Sequence, residues 1–183
     1  LVGSEMCIRD SIYTGWRLPM NKGQALTITA AAGFSSSDNR LSSVTSGGQN
    51  SSGSWTNRAW EGTVRAAWDL PVGRNLVLTP HIGVEYTDVV QEAFTESGEM
   101  ARRFDRGHYR NLALPVGLSL TQGLTLGGMP WSHTVSVEYL PDVYRSNAGT
   151  YARLVGNGYG WGVEGSKPAR QGMRAVSYTH LRA

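Results

Sequence analysis

The sequence predicts an all-β protein, an antiparallel transmembrane β-barrel, and three observations lead to this prediction. Several stretches alternate between apolar and polar residues, as β-strands with two different faces do. Aromatic residues recur at a fixed spacing on the apolar side of these stretches. Short connections alternate with long ones, which is typical of barrels that have short turns on one side of a membrane and long loops on the other.

The segment from Trp60 to Leu70 is the clearest predicted strand. Its apolar face contains Trp60, Gly62, Val64, Ala66, Trp68 and Leu70, and its polar face contains Glu61, Thr63, Arg65, Ala67 and Asp69. The two tryptophans are about 26 Å apart along a strand that rises roughly 3.3 Å per residue. At a strand tilt of about 40° this is roughly 20 Å along the membrane normal, close to the ~25 Å apolar band of such barrels. Trp131 and Tyr139 repeat the same spacing.

Five further segments show the same alternation. They span residues 12–18, 26–34, 76–86, 112–120 and 131–139. Short turns are predicted at 21–23 and 71–73, whereas Ser35–Asn57 and Gln91–Gly107 are predicted to be long polar loops without a strand pattern. After Asn147 the pattern weakens, and residues 150–163 are either one bulged strand or two short strands around Gly156-Asn157-Gly158.

The alternation assigns side chains to two environments. The apolar faces are expected to contact lipid, with a girdle of aromatic rings at Trp16, Trp60, Trp68, Tyr86, Trp131 and Tyr139. The polar faces are expected to line a lumen with the side chains of Glu61, Arg65, Asp69, His81, Glu85 and Glu138. Glu61 and Arg65 are roughly 13 Å apart along one strand, so we expect ion pairs across neighbouring strands rather than along a strand.

Composition excludes other classes of protein. Only 17% of the residues are charged, and six Trp and eight Tyr outnumber three Phe, as expected where amphipathic rings lie at a membrane interface. The mean hydropathy is −0.29 and no run of about 18 apolar residues occurs, which excludes a membrane-spanning helix but not a spanning barrel. The net charge of +3 is too small and too scattered to indicate a nucleic-acid partner.

The sequence also predicts no catalytic, metal or cofactor site. His81, His108 and His133 do not have the spacing of metal ligands. Ser119, Asp142 and either His133 or His81 are the residue types of a hydrolase triad, but no GxSxG elbow accompanies them. The glycines of 156–160 are not followed by a helix pattern that would cradle a phosphate. We therefore expect a protein that is not an enzyme.

The two ends of the chain differ from the patterned region. Residues 1–11 and 175–183 join it abruptly and resemble translated sequencing-adapter reads, so we expect them to be foreign to the natural protein. The barrel domain is then residues 12–174. The single cysteine, Cys7, falls in the first of these ends and indicates nothing about the redox compartment.

An ordered set of motifs runs through the patterned region. The motifs are Pro80-His-Ile-Gly-Val-Glu-Tyr86 followed by Phe94-Thr-Glu-Ser-Gly98, then Leu114-Pro-Val-Gly-Leu118, Glu138-Tyr-Leu-Pro-Asp-Val-Tyr-Arg145, and Trp161-Gly-Val-Glu-Gly165 with Arg170. In this order they resemble the autotransporter β-domain family, in the branch of the polymorphic membrane proteins. The resemblance implies a barrel of about twelve strands, an even number as in such barrels generally, of which this chain would supply about 6–8. The expected location is the outer membrane of a Gram-negative-type cell.

The resemblance implies a translocator that anchors and helps to export an N-terminal passenger (type V secretion). Its expected partners are outer-membrane lipid, the covalently linked upstream passenger and the barrel-assembly machinery. Without the first and last strands of the family, the chain is not expected to close into a barrel by itself, because open edges leave backbone groups unpaired. Two alternatives remain: a stand-alone outer-membrane porin or adhesin, and a soluble β-sandwich, in which the polar face would meet bulk water.

Overall fold

A computed structural model describes residues 5–44, 48, 50–98, 101–126, 129–146, 149–164 and 170–181. This part of the chain contains twelve strands and one short 3₁₀ turn at Asn21–Gly23. The strands are β1 Glu5–Pro19, β2 Ala25–Val44, β3 Asn50–Gly73, β4 Leu76–Gln91, β5 Phe94–Thr95, β6 Arg102–Phe104, β7 Gly107–Ala113, β8 Val116–Leu126, β9 Met129–Ser146, β10 Gly149–Leu154, β11 Gly160–Glu164 and β12 Gln171–Leu181.

Eight strands form one antiparallel sheet, which confirms the predicted all-β class. The order begins β1-β2-β3-β4. Next come β7 and β8, each of which pairs with one half of β4, and then β9 and β12. β7 and β8 together occupy the place of one long strand, and the break between them is at Leu114–Pro115. Proline has no N–H to donate to the ladder, and the Pro115 carbonyl instead accepts a hydrogen bond from Gly83 N at 2.8 Å. The predicted strand at 112–120 is therefore interrupted.

The predicted loop at Ser35–Asn57 is wrong. β2 and β3 stay paired from Ala25↔Asp69 to Val44↔Asn50, so the two strands continue well beyond the last apolar alternation at Phe34. Backbone hydrogen bonds sustain a ladder whatever the side chains are. The Ser- and Asn-rich composition of this extension shows only that neither of its faces is apolar.

The turn at 21–23 is confirmed, but the predicted turn at 71–73 is wrong. Lys22 and Gly23 have φ of 61° and 73°, the left-handed values that a tight turn requires. At the next connection, β3 continues through Pro71, which pairs with Val77, and the chain reverses at residues 74–75. Proline next to a register irregularity is compatible with a strand, so it does not mark the turn here.

The second predicted loop, Gln91–Gly107, contains two short strands that belong to a small sheet. Its order is β11-β10-β6-β5, and we call it the cap sheet. β10 and β11 correspond to residues 150–163, so the two-strand alternative applies there. Trp55 of β3 stacks on Phe94 at 4.6 Å between ring centroids, and Phe94 stacks on Phe104 at 4.7 Å. These rings fix the cap sheet to the extended end of β3.

Strands β1 and β12 are the edges of the large sheet. β1 pairs with β2 from Glu5↔Asn39 onward, and β12 pairs with β9 as far as Leu181↔Trp131. Both strands therefore run into the terminal segments that the sequence marks as foreign, and that interpretation stays a prediction. Within the described ranges the two edge strands do not pair with each other, so this sheet is open. No described helix is long and apolar enough to cross a membrane.

Candidate functional site

The large sheet has an apolar face that is exposed along its whole width. Cross-strand register places Trp16, Ile28 and Ala66 in one row of this face, and Val64 and Val84 opposite each other in another. Val64 is 52% exposed and Val137, three strands away in the sheet, is 46% exposed. Large apolar side chains on a sheet normally pack against another layer. In the described residues this layer is absent.

The six predicted girdle residues all lie on the apolar face. Five of them are among the exposed large side chains: Trp16, Trp60, Trp68, Tyr86 and Tyr139. The sixth, Trp131, is half-buried and lies opposite Leu124 of β8. Trp60 contacts Phe34, with 4.7 Å between ring centroids. That these rings form a girdle against lipid stays a prediction.

Glu138 is the centre of the opposite, polar face. Its side chain is only 5% exposed and lies among three basic groups. Arg65 Nη2 donates to Oε2 at 2.8 Å, Arg174 Nη1 donates to Oε1 at 3.2 Å, and His81 Nε2 lies 3.1 Å from Oε2. We call these four residues the Glu138 cluster. A buried carboxylate requires such partners, because leaving it unpaired would be strongly unfavourable.

Two glycines allow side chains from β3 and β4 to reach β9. His81 of β4 is directly opposite Gly117 of β8, and Gly117 is directly opposite Glu138. A Cβ at Gly117 would lie 2.4 Å from His81 Nε2, so the imidazole occupies the space that a side chain there would fill. Gly83 lies opposite Arg65, and a Cβ there would lie 3.2 Å from Pro115 Cγ. The glycines thus form a furrow across the polar face.

The other predicted polar residues lie on the same face and also have cross-strand partners. Glu85 lies 3.6 Å from Arg65, at the edge of the Glu138 cluster. Glu61 pairs with Arg9 at 2.6 Å and Asp69 pairs with Arg17 at 2.8 Å, both between β3 and β1 across the intervening β2. The six predicted residues therefore form three separate sets: Arg65, His81, Glu138 and Glu85 lie together, whereas Glu61 and Asp69 each belong to an ion pair of their own.

Three basic partners were not among the predicted site residues: Arg9, Arg17 and Arg174. Arg9 lies in the segment that the sequence marks as foreign, and Arg174 lies at the end of the patterned region. Each could be found only after strand pairing was known, because an isolated arginine in a weak pattern gives no signal of its own.

The residue types of a hydrolase triad do not assemble. The Ser119 hydroxyl lies 2.8 Å from the Ser136 hydroxyl on the polar face, whereas register places His133 on the apolar face. Asp142 accepts from Asn111 at 3.1 Å and pairs with Arg145. Among the described residues no group of His, Cys, Asp and Glu is arranged to hold a metal ion.

The cap sheet has an ion pair of its own. Arg102 donates from Nε and Nη2 to the two carboxylate oxygens of Glu96, both at 2.7 Å, and the Glu96 side chain is 1% exposed. These hydrogen bonds to Glu96 raise the pKa of the Arg102 guanidinium above its ordinary value. A bidentate pair of this kind joins Glu96, next to β5, to the first residue of β6.

An open antiparallel sheet with one exposed apolar face, aromatic rings at both ends of it, and an ion-paired polar face is the wall of a transmembrane β-barrel. Comparison with known proteins gives the particular family. The model of the autotransporter beta-domain matches residues 11–176 of the 183, and the chain belongs to this family.

Individual relatives agree with the family. The chain is 32% identical over 148 residues to probable outer membrane protein pmp19 of Chlamydia pneumoniae, covering 80% of this chain and 16% of that protein. It is 29% identical over 189 residues to probable outer membrane protein PmpC of Chlamydia muridarum, covering 98% of this chain and 13% of that protein. The chain thus spans about a sixth or less of the length of these relatives.

A solved structure has the same fold. The translocator domain of autotransporter NalP from Neisseria meningitidis superimposes with a TM-score of 0.53 at 20% sequence identity. The match covers 97% of this chain and 66% of that domain. The large sheet therefore has the architecture of part of an autotransporter β-barrel, in agreement with the predicted partial barrel.

Proposed function

We propose that this chain is part of an outer-membrane β-barrel translocator that anchors an N-terminal passenger and helps to export it from a Gram-negative-type cell. The observation that carries the proposal is that one sheet has two different faces. One face is apolar and exposed, and the other is polar, with ion pairs between its strands. The barrel provides a path and an anchor rather than a reaction, so it has no catalytic residue and no cofactor.

In the proposed translocator the apolar face of the sheet contacts lipid and the polar face lines the lumen. Trp16, Trp60 and Tyr86 are rings with a polar atom, which suits the interface between hydrocarbon and headgroups. In the Glu138 cluster the arginine and glutamate side chains form ion pairs with one another along the inner surface of the barrel wall. A lumen lined in this way stays open to a passing polypeptide, because its charged groups already have partners.

The open sheet supports further strands as partners, and membership of the autotransporter family supports a passenger and assembly machinery. β1 and β12 each leave an edge of unpaired backbone groups, and hydrocarbon cannot satisfy these groups. Further strands of the same polypeptide complete the barrel, the barrel-assembly machinery inserts it, and the passenger lies upstream. By the same reasoning, we expect residues 1–183 expressed alone to aggregate or to stay peripheral to the membrane.

The test compares adjacent residues of β3 that lie on opposite faces. In the complete polypeptide that carries this domain, Val64→Asp places a carboxylate on the apolar face, at a cost of about 2 kcal/mol or less near the midplane. Thr63→Asp places the same group on the polar face. We expect Val64→Asp to reduce the heat-modifiable band in outer-membrane fractions and Thr63→Asp to leave it unchanged. Equal tolerance of both variants would overturn the membrane assignment.

A second candidate is a stand-alone porin or adhesin, and the ordered cap sheet favours it, since loops with a fixed structure suit binding. Protease shaving of intact cells distinguishes the two. Release of a large upstream fragment supports the translocator, whereas a barrel without an upstream surface domain supports the stand-alone protein. The soluble β-sandwich is disfavoured, because in the described residues no second layer covers Val64, Val84 and Val137.

A further inference from the structure

Two arginines lie directly opposite each other on the cap sheet. Arg103 of β6 and Arg153 of β10 are register partners in an antiparallel pair. Side chains at such positions have Cβ atoms about 5 Å apart on the same side of the sheet, and like charges there destabilise the pairing. A neutral or opposite residue at either position would relieve this repulsion, so the arrangement needs an explanation other than the stability of the sheet.

The nearby acidic groups compensate only part of this charge. Arg153 Nη2 donates to Asp105 at 2.8 Å, with both side chains partly exposed. A second carboxylate, that of Glu96, is buried and forms an ion pair with Arg102. Among the described residues Arg103 is exposed and has neither a hydrogen-bond nor an ion-pair partner. The pair of arginines therefore presents one unmatched positive charge on the surface of the cap sheet.

An aromatic ring adjoins the two arginines on the same side of the sheet. The Arg153 guanidinium carbon lies 5.8 Å from the centroid of the Tyr151 ring, which is within the range of a cation–π contact. The ring lies over Gly160, since a Cβ there would be 2.4 Å from Tyr151 Cε1. Opposite Tyr151 is Gly162, where a Cβ would have nothing within 4 Å. A flat ring with open space beside it thus borders the cationic pair.

We infer that Arg103, Arg153 and Tyr151 form a binding site for an acidic saccharide, whose sulfate or carboxylate group lies between the two guanidinium groups. Guanidinium groups bind such oxyanions through charge-assisted hydrogen bonds. The exposed face of the Tyr151 ring and the space over Gly162 fit the flat apolar side of a sugar ring. An acidic peptide has the charge but not this flat apolar side, so the ring favours the saccharide.

The site would face the cell exterior only if the proposed function holds, because that function places the cap sheet at the outer end of the barrel. The binding test does not depend on this placement. It uses the complete polypeptide that carries the domain, purified in detergent, and a fluorescent dextran sulfate oligosaccharide as the probe. Uncharged dextran of the same length is the control ligand. Heat-modifiable mobility of each variant reports separately on the barrel.

We expect binding to depend on Arg103 and Arg153 specifically. Arg103→Gln and Arg153→Gln should each weaken dextran sulfate binding about tenfold, the loss of one charge-assisted hydrogen bond. Arg106→Gln is the control, because it removes a nearby exposed arginine that lies outside the pair. The affinity of this variant for dextran sulfate should stay within about twofold of the parent protein's. Arg103→Glu should abolish binding while keeping the cap sheet folded, because the new carboxylate pairs with Arg153.

Tyr151→Leu separates the saccharide from a simple anion. It should weaken dextran sulfate binding and leave competition by inorganic sulfate unchanged. The inference is overturned if Arg106→Gln weakens binding as much as Arg103→Gln, since bulk charge would then explain it. It is also overturned if inorganic sulfate or a polyglutamate peptide binds as tightly as dextran sulfate. Loss of heat-modifiable mobility in the parent protein would count against the proposed function and not against this site.

Discussion

His81 Nε2 lies 3.1 Å from Glu138 Oε2, although the two residues belong to strands that are separated by β8. The contact passes over Gly117, the residue of β8 that lies between them. It joins β4 and β9 through side chains, across β8, in addition to the backbone ladder. Arg65 of β3 and Arg174 of β12 also pair with Glu138, so one carboxylate of β9 links three other strands of the wall.

Gly117→Ala should destabilise the barrel by about 1–3 kcal/mol, the usual range for overpacking a filled site. The new methyl group would lie 2.4 Å from His81 Nε2 and 2.7 Å from the Val137 carbonyl oxygen, so the imidazole must leave its place. Urea unfolding of the complete polypeptide in lipid vesicles measures the change. Gly62→Ala is the matched control, since a Cβ there has nothing within 4 Å. Equal stability of the two variants would show that the furrow is not filled.

Glu138→Gln should reduce the free energy of unfolding by about 1.5–3 kcal/mol, because the charge-assisted hydrogen bonds from Arg65 and Arg174 become hydrogen bonds to a neutral amide. Glu61→Gln is the control. Its ion pair with Arg9 is much more exposed, and such pairs contribute about 1 kcal/mol or less. The same urea titration measures both variants. A loss at Glu61 as large as at Glu138 would contradict the central place of the Glu138 cluster.

Phe94→Ala should loosen the cap sheet without affecting the membrane-spanning strands. Phe94 lies between Trp55 and Phe104, so the change removes the ring contact that attaches the cap sheet to β3 and a second ring contact inside the cap sheet. Trypsin should then cleave after Arg102 and Arg103 sooner than in the parent protein, while heat-modifiable mobility is unchanged. Val155→Ala, at a 58% exposed position of the same region, should not alter the cleavage rate.

The contribution of Arg102 to the cap sheet should not vary between about pH 6 and about pH 10. Hydrogen bonds to Glu96 raise the pKa of Arg102, so its stabilising effect is complete at every pH below the ordinary pKa of arginine. It is lost only as the pH rises through the still higher value in the folded protein. Trypsin cleavage of the parent cap should therefore be constant across this range, after correction for the enzyme's own profile with an unfolded substrate. A rise in cleavage by pH 10 would contradict the assignment.

Much of the fold follows from local pattern. Period-two alternation identified the strands around Trp60, Leu26, Leu76 and Trp131, because each of these has one apolar face that lipid or a core must cover. The same pattern missed the extension of β2 to Val44 and, in the cap sheet, strands β5 and β6. Those segments are held by backbone pairing and by a few aromatic contacts, and neither leaves a periodic signal in a Ser- and Asn-rich sequence.

The sequence by itself determined which side chains share a face. All twelve predicted girdle and polar residues lie on the sides to which alternation assigned them, because a strand offers only two directions for a side chain. Only the tertiary structure decided the partners. Glu138 has its neighbours because register brings Gly117, His81 and Arg65 into adjacent rows, and residues far apart in sequence meet only when strand order and register are set.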